Sequence, residues 1–398
     1  MYINIHRGQN QIGGSIIELA TDNTRIILDV GINLDEGREV EISKIEGLFC
    51  GDPTYDAVII SHYHSDHIGL LPYVLEEIPI YIGKQAYDIV QAAAEYTGKA
   101  VQFRHIEYKD GEKQTIGDLA ITPYRCDHSA FDSYMFVITD GVKTVLYTGD
   151  FRANGRADYE ALLEHLPEVD ALIVEGTLLS RETYKNNITE QELEEIACDA
   201  LRKYKGPAFL LSSAMNVDRI TTGFNAARKT GRIFLEDLYT AGILNAIGGN
   251  LPSPGIEGVK VFMTGGDKQF EMLKRYSDCK IGKQGIARLD FLMCIRPSMK
   301  NYLRELNKLC SFDGGILFYS MWKGYQERGD MKEFLQYMES LGVKIHVLHT
   351  SGHADVETID KLVNRVLPKM IIPVHTENPE WYERYDAKIV LGNNRITM

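Results

Sequence analysis

The chain has 398 residues, 44% hydrophobic and 25% charged, which is long enough for a large core and for two domains. Its formal net charge of −13 argues against broad, non-specific nucleic-acid binding but leaves room for a local basic groove. No apolar run approaches the roughly 18 residues of a membrane span, and Met1-Tyr2-Ile3-Asn4-Ile5-His6-Arg7-Gly8 lacks a signal region, so a cytoplasmic protein without a membrane contact is expected.

The first third is rich in short strands. Ile16-Ile17-Glu18-Leu19 and Arg25 to Gly31 read as neighbours turning at Asp22-Asn23. Ala57-Val58-Ile59-Ile60 is a buried strand, and Ile68 to Leu75 reads as the opening of a helix. Between them lies Ser61-His62-Tyr63-His64-Ser65-Asp66-His67. In extended backbone His62 and His64 point the same way, and Asp66 and His67 follow where the chain turns. Imidazole nitrogen and carboxylate oxygen are ligands that zinc accepts. A polar loop that happens to hold histidines is the bland alternative, and this register is rare by chance.

Further strands are expected at Ile78–Ile82 and Leu119–Tyr124, and a hairpin at Tyr134–Ile138 and Lys143–Tyr147, joined through Asp140-Gly141. Helices are expected over Tyr87–Tyr96 and Tyr159–His165. From about Ser180 the texture changes. Thr189-Glu190-Gln191-Glu192 matches a capping box opening a helix toward Lys205, and strand–helix–strand units follow through Ala208–Leu211, Val217–Lys229 and Arg232–Leu235. This alternation favours a separate parallel sheet. Near Val343 the chain returns to histidine-bearing strands, Lys344–Leu348 and Met370–Val374, as an inserted block would require. Between Val259 and Lys308 eleven Lys/Arg stand against five Asp/Glu, a local balance of +6. That stretch is either a solvated surface or a phosphate-tracking face. The six cysteines are scattered without a C-x-x-C pair and read as core thiols.

Seven strand ends deliver His, Asp or Glu. Besides the His62 loop they are Asp29, His128 in Cys126-Asp127-His128-Ser129, Asp150 in Thr148-Gly149-Asp150, Glu175 in Glu175-Gly176-Thr177, His353 in Ser351-Gly352-His353-Ala354, and His375 in Pro373-Val374-His375-Thr376-Glu377. Taken singly, Asp29 and Glu175 could as well cap or turn the chain. Asp29 is also a plausible partner behind a ligating histidine. His105, His165, His346 and His349 receive no role.

H-x-H-x-D-H, a strand-end His and T-G-D resemble the metallo-β-lactamase fold superfamily. E-G-T, S-G-H-A and P-V-H-T-E resemble its β-CASP branch, which includes ribonuclease J. The resemblance implies an α/β architecture, an αββα sandwich with an inserted β-CASP domain. Residues 1–180 and 344–398 would form the sandwich and 181–343 the insert. It implies one metal on His62, His64 and His128, and a second on Asp66, His67 and His375, with Asp150 bridging. The ions would be two divalent cations, zinc first and manganese as the alternative, sharing a hydroxide for in-line displacement at phosphorus. His353, made more basic by Glu175, would protonate the leaving oxygen. Ser212 to Arg219 resembles more loosely the segment that meets substrate phosphates, which nominates Ser213 and Arg219.

The activity expected is hydrolysis of single-stranded RNA, endo or from the 5′ end. A small-molecule thioesterase, lactonase or phosphodiesterase, a DNA nuclease of the same branch, and a binding protein with a vestigial site are the alternatives. The chain departs from the family pattern in two places: the further C-terminal domain of ribonuclease J is missing here, which bears on the expected homodimer and on processivity, and Thr376 stands where glycine is common.

Overall fold

The computed structural model of the chain describes residues 1–34, 44–99, 102–179, 187–392 and 395–398. The boundary expected at 180/181 lies outside these described residues. The chain divides into two compact units, one of Met1–Val90, Ala100–Asn187 and Gly352–Met398, the other of Gln91–Lys99 and Ile188–Ser351.

The first unit holds two seven-stranded sheets. One runs in the order Ile396–Thr397, Tyr2–Arg7, Ile16–Ala20, Arg25–Leu28, Ala57–Ile59, Ile80–Gly83, His105–Tyr108. The other runs Lys388–Ile389, Met370–Pro373, Ala171–Val174, Thr144–Tyr147, Ser133–Thr139, Leu119–Cys126, Gln114–Ile116. Period-two alternation sets the packing. Ile3, Ile5, Ile17 and Leu19 from the first sheet meet Ile121, Phe136, Ile138 and Ile173 from the second in one buried core. Each such aliphatic or aromatic side chain contributes about 1.5–3 kcal/mol on burial. The outer face of the second sheet packs on Leu162 and Leu163 of helix Tyr159–His165 and on Ile359, Leu362 and Val366 of helix Val356–Val366. This is the expected α/β sandwich. The hairpin closes as its Asp-Gly predicts: Asp140 Oδ1 accepts the amides of Val142 and Lys143, and Gly141 takes φ +87°.

The second unit is built on a six-stranded, wholly parallel sheet in the order Val259–Phe262, Ile233–Asp237, Phe291–Ile295, Ala208–Leu211, Ile316–Tyr319, Lys344–Val347. Its strands are almost continuously apolar because helices cover both faces. The capping box forms, with Thr189 and Glu192 exchanging side-chain and backbone bonds at the start of helix Glu190–Lys203. Two expectations need correction. Lys344–Val347, read as the start of the returning part, pairs in parallel with Ile316–Tyr319 as an edge strand of this sheet. After the His62 loop there is no continuous helix: a single turn, Ser65–Ile68, is followed by a 3₁₀ turn at Leu71–Tyr73, where Pro72 removes a backbone donor.

Four of the six cysteines are buried and all are free thiols. Among the described residues no helix is long and apolar enough to cross a membrane.

Candidate metal centre

The centre sits at strand ends of the first unit. Ala57–Ile59 runs out into His62 and His64, and the turn Ser65–Ile68 carries Asp66 and His67. Leu119–Cys126 delivers His128, Thr144–Tyr147 delivers Asp150, Ala171–Val174 delivers Glu175 and Met370–Pro373 delivers His375. Gly31 lets the end of Arg25–Leu28 approach this loop, because a Cβ there would overlap the carbonyl of Asp66.

Three groups result, the last two sharing Asp150 and His375, each with its candidate ligand atoms within 4.8 Å of one another: His62, His64 and His128; Asp66, His67, Asp150 and His375; and Asp150, Glu175, His353 and His375. Asp150 belongs to two of them. Its Oδ2 lies 3.2 Å from His67 Nε2, 3.7 Å from His375 Nε2, 3.8 Å from His62 Nε2 and 3.9 Å from His128 Nε2.

The residues fit metal ions. Among the described residues, His62 Nε2 and Asp150 Oδ1 are buried without a hydrogen-bond partner, and His67 Nε2 lies 3.2 Å from Asp150 Oδ2. Buried polar atoms left bare are costly, and here they converge. Burial, reinforced by neighbouring imidazoles, pushes His62 and His128 well below the usual histidine range, and burial outweighs the nearby carboxylates to bring His64 down to about 4. These rings are therefore neutral near pH 7, with lone pairs to offer. At His67 burial opposes charging, but Asp150 and Asp29 outweigh it and raise the ring well above its ordinary value. Burial would raise Asp150, yet the surrounding His375, His67 and His353 hold it well below the carboxylate range. A field that retains a proton between His67 and Asp150 equally favours a cation there.

The ligand atoms are oriented from behind. His67 Nδ1 lies 2.7 Å from Asp29 Oδ2, and Asp29 also accepts from the Ser61 amide at 2.7 Å, Ser61 Oγ at 2.7 Å and Tyr147 Oη at 2.6 Å. His128 Nδ1 lies 2.5 Å from the Gly352 carbonyl, and His375 Nδ1 lies 2.8 Å from Thr177 Oγ1. Each contact fixes which ring nitrogen faces the centre. Asp29 and His375 both adopt left-handed backbone, φ +59° and +50°, at a cost of about 1–3 kcal/mol each. Their amides are held by the carbonyls of Ile59 and Gly8.

His353 stands at the accessible edge, its side chain 23% exposed, with Nδ1 3.1 Å from Glu175 Oε2 and 3.6 Å from Asp150 Oδ2. Burial would depress it, but Glu175 and Asp150 outweigh that and hold it at about 9. Glu175 is itself fixed by the amides of Phe151 and Thr177.

The two nominated phosphate contacts lie in the second unit, and one is overturned. Ser213 is exposed, its Oγ accepting the Met215 amide. Arg219 is fully buried: its guanidinium meets Glu190 at 3.0 and 3.1 Å and donates to Ser320 Oγ and the Leu348 carbonyl. It is a core cation, not a phosphate contact. The basic stretch is also partly neutralised, with Lys274, Arg275, Arg296, Arg304 and Lys308 each paired to a carboxylate. Sequence reasoning gave no role to Ser61, Tyr147 or Thr177, which position ligands. Thr177 stands in the E-G-T motif, the one signal that could have found it.

Residues 11–191 match the metallo-beta-lactamase superfamily model. That stretch is a metallo-β-lactamase superfamily domain. Residues 330–383 match a second model, the Zn-dependent metallo-hydrolase RNA specificity domain. Among curated relatives, the chain is 27% identical over 259 residues to an RNase J-like protein of Methanocaldococcus jannaschii, covering 61% of this chain and 58% of that protein. It is 23% identical over 428 residues to transcription termination factor FttA of Methanothermobacter thermautotrophicus (93% and 66%). It is 24% identical over 436 residues to ribonuclease J of Thermus thermophilus (97% and 72%). The chain thus spans less than two thirds of the first two relatives. A crystal structure of a protein of unknown function from Enterococcus faecalis superposes with a TM-score of 0.84 at 19% identity, covering 100% of this chain and 99% of that one. The likeness to the β-CASP, ribonuclease J-like branch therefore extends over most of the chain.

Proposed function

We propose that this chain is a metal-dependent hydrolase that cleaves phosphodiester bonds in single-stranded RNA. The observation that carries the reading is the convergence of bare, buried His62 Nε2 and Asp150 Oδ1 within the adjoining groups of His62, His64 and His128 and of Asp66, His67, Asp150 and His375. His62, His64 and His128 would hold one divalent cation and Asp66, His67 and His375 another, with Asp150 offering an oxygen to each. Such a pair, zinc or manganese, supplies Lewis acidity and a nucleophile at neutral pH, chemistry suited to displacement at phosphorus.

This chain's own residues do the rest. Asp29 and Thr177 set the tautomers of His67 and His375. Glu175 holds the His353 ring through Nδ1, and His353 would donate a proton to the departing oxygen. The partial exposure of His353 beside its buried neighbours suits a group that must meet substrate. RNA as the polymer is supported by relatives named ribonuclease J and by the match of residues 330–383 to an RNA specificity domain.

End-labelled single-stranded RNA and DNA, incubated with zinc- or manganese-loaded protein, test this. RNA cleavage that stops in Asp150→Ala is expected. Turnover of a short ester with both polymers left intact would overturn it.

A further inference from the structure

In the second unit, the strand Ile316–Tyr319 runs out into Ser320-Met321-Trp322-Lys323-Gly324-Tyr325-Gln326-Glu327-Arg328. Trp322 is 41% and Tyr325 37% exposed, two large aromatic side chains side by side at the surface. Their rings meet edge to face, 5.3 Å between centroids. The Arg328 guanidinium lies over both, 5.6 Å from the Trp322 centroid and 5.3 Å from that of Tyr325.

The arrangement is built rather than loose. Residues 323–325 form a 3₁₀ turn, the Tyr325 amide donates to the Trp322 carbonyl, and buried Tyr319 donates to the same oxygen through Oη at 3.0 Å. Gly324 has a specific reason to be glycine: a Cβ there would overlap the Trp322 ring, which lies across its backbone. Glu327 is taken up by Lys332 at 2.9 Å, so among the described residues Lys323 and Arg328 beside the rings keep their charge unpaired with a carboxylate. In a chain of −13 this is a local cationic and aromatic island. It follows a strand paired in register, Leu211 to Tyr319, with the one that leads to exposed Ser213.

We infer that Trp322 and Tyr325, with Lys323 and Arg328, form a stacking platform for unpaired bases of a single-stranded nucleic acid, an inference that rests on the RNA reading above. Every base offers a π face to an indole or phenol, and flanking cations answer the phosphates, so the platform grips strand without selecting sequence. Arginine already stacked on the rings is pre-organised for a base or a phosphate.

The chain has two tryptophans. In metal-loaded, full-length Trp381→Phe protein the emission is that of Trp322 alone, and saturating oligouridylate is expected to quench it. Trp322→Ala is expected to raise KM for the oligonucleotide about 5- to 150-fold, with kcat at saturation and hydrolysis of bis(p-nitrophenyl) phosphate unchanged. Trp322→Phe should recover most of the affinity, and Gly324→Ala, which displaces the ring, should mimic the loss. If wild-type protein cleaves RNA but neither quenching nor a KM change is seen, the platform is refuted while the RNA reading stands. If wild-type protein cleaves no RNA, the reading beneath it fails. If Trp322→Ala instead dissolves a dimer seen by light scattering, the rings serve a second copy of the chain and the inference is wrong.

Discussion

Replacing Arg219 by methionine separates a core role from a phosphate-binding one. The side chain is fully buried against fully buried Glu190, with two charge-assisted contacts at 3.0 and 3.1 Å and further donation to Ser320 and Leu348. Removing one partner of a buried pair strands the other charge, at a cost of about 3–5 kcal/mol. For a body of this unit's size each kcal/mol lowers Tm by about 2–4 °C, so Arg219→Met should lower the transition by roughly 6–20 °C. The double variant Arg219→Met, Glu190→Met replaces the pair by apolar volume and should recover most of that loss. Calorimetry measures the transition, and oligonucleotide KM below it should match wild type. A variant as stable as wild type but with weakened oligonucleotide binding would refute the core role and restore Arg219 as a phosphate contact.

Three further outcomes follow from the same geometry. Asp29→Asn keeps a residue that tolerates left-handed backbone but removes the carboxylate behind His67. Metal affinity should fall about 10- to 100-fold in a chelator competition, and an unchanged affinity would rule out the orienting role. His353→Ala should lower the cleavage rate about 10²- to 10⁴-fold with metal content by elemental analysis intact; loss of one equivalent of metal would make His353 a ligand instead of a proton donor. Glu236 is fully buried with both carboxylate oxygens unpartnered among the described residues, and burial, then Asp237, raises it well above the ordinary carboxylate range. The folded state therefore keeps a proton that the unfolded chain releases near about pH 4.3. Stability should fall as pH rises above that value toward the folded pKa. Urea melts of Glu236→Gln should lack this slope, and identical pH profiles would contradict the assignment.

The convergence of the candidate ligand residues was legible because their residue types are rare at strand ends and four of them crowd into one loop. Asp66 and His67 could be read from the turn that follows His64, and His128, Asp150 and His375 from the apolar runs before them. What supports the ligands was not legible. Tyr147 reaches Asp29, and Thr177 reaches His375, across 118 and 198 residues of sequence. Arg219 was misread for a similar reason: the loose resemblance of Ser212–Arg219 to a phosphate-meeting segment nominated it, while its partner Glu190 sits on another helix. Lys344–Val347 has no marker of which sheet it joins, since only its pairing with Ile316–Tyr319 decides that. The two-sheet core was expected through the family resemblance alone, since the short strands carry no mark of which sheet each joins.

Crystals soaked in manganese or zinc and measured at the metal absorption edge bear most directly on the centre. Two anomalous peaks about 3.5–4 Å apart are expected, one among His62, His64 and His128 and the other among Asp66, His67 and His375, with an Asp150 oxygen within reach of both. A single peak, or peaks that leave Asp150 unligated, would contradict a paired-cation site.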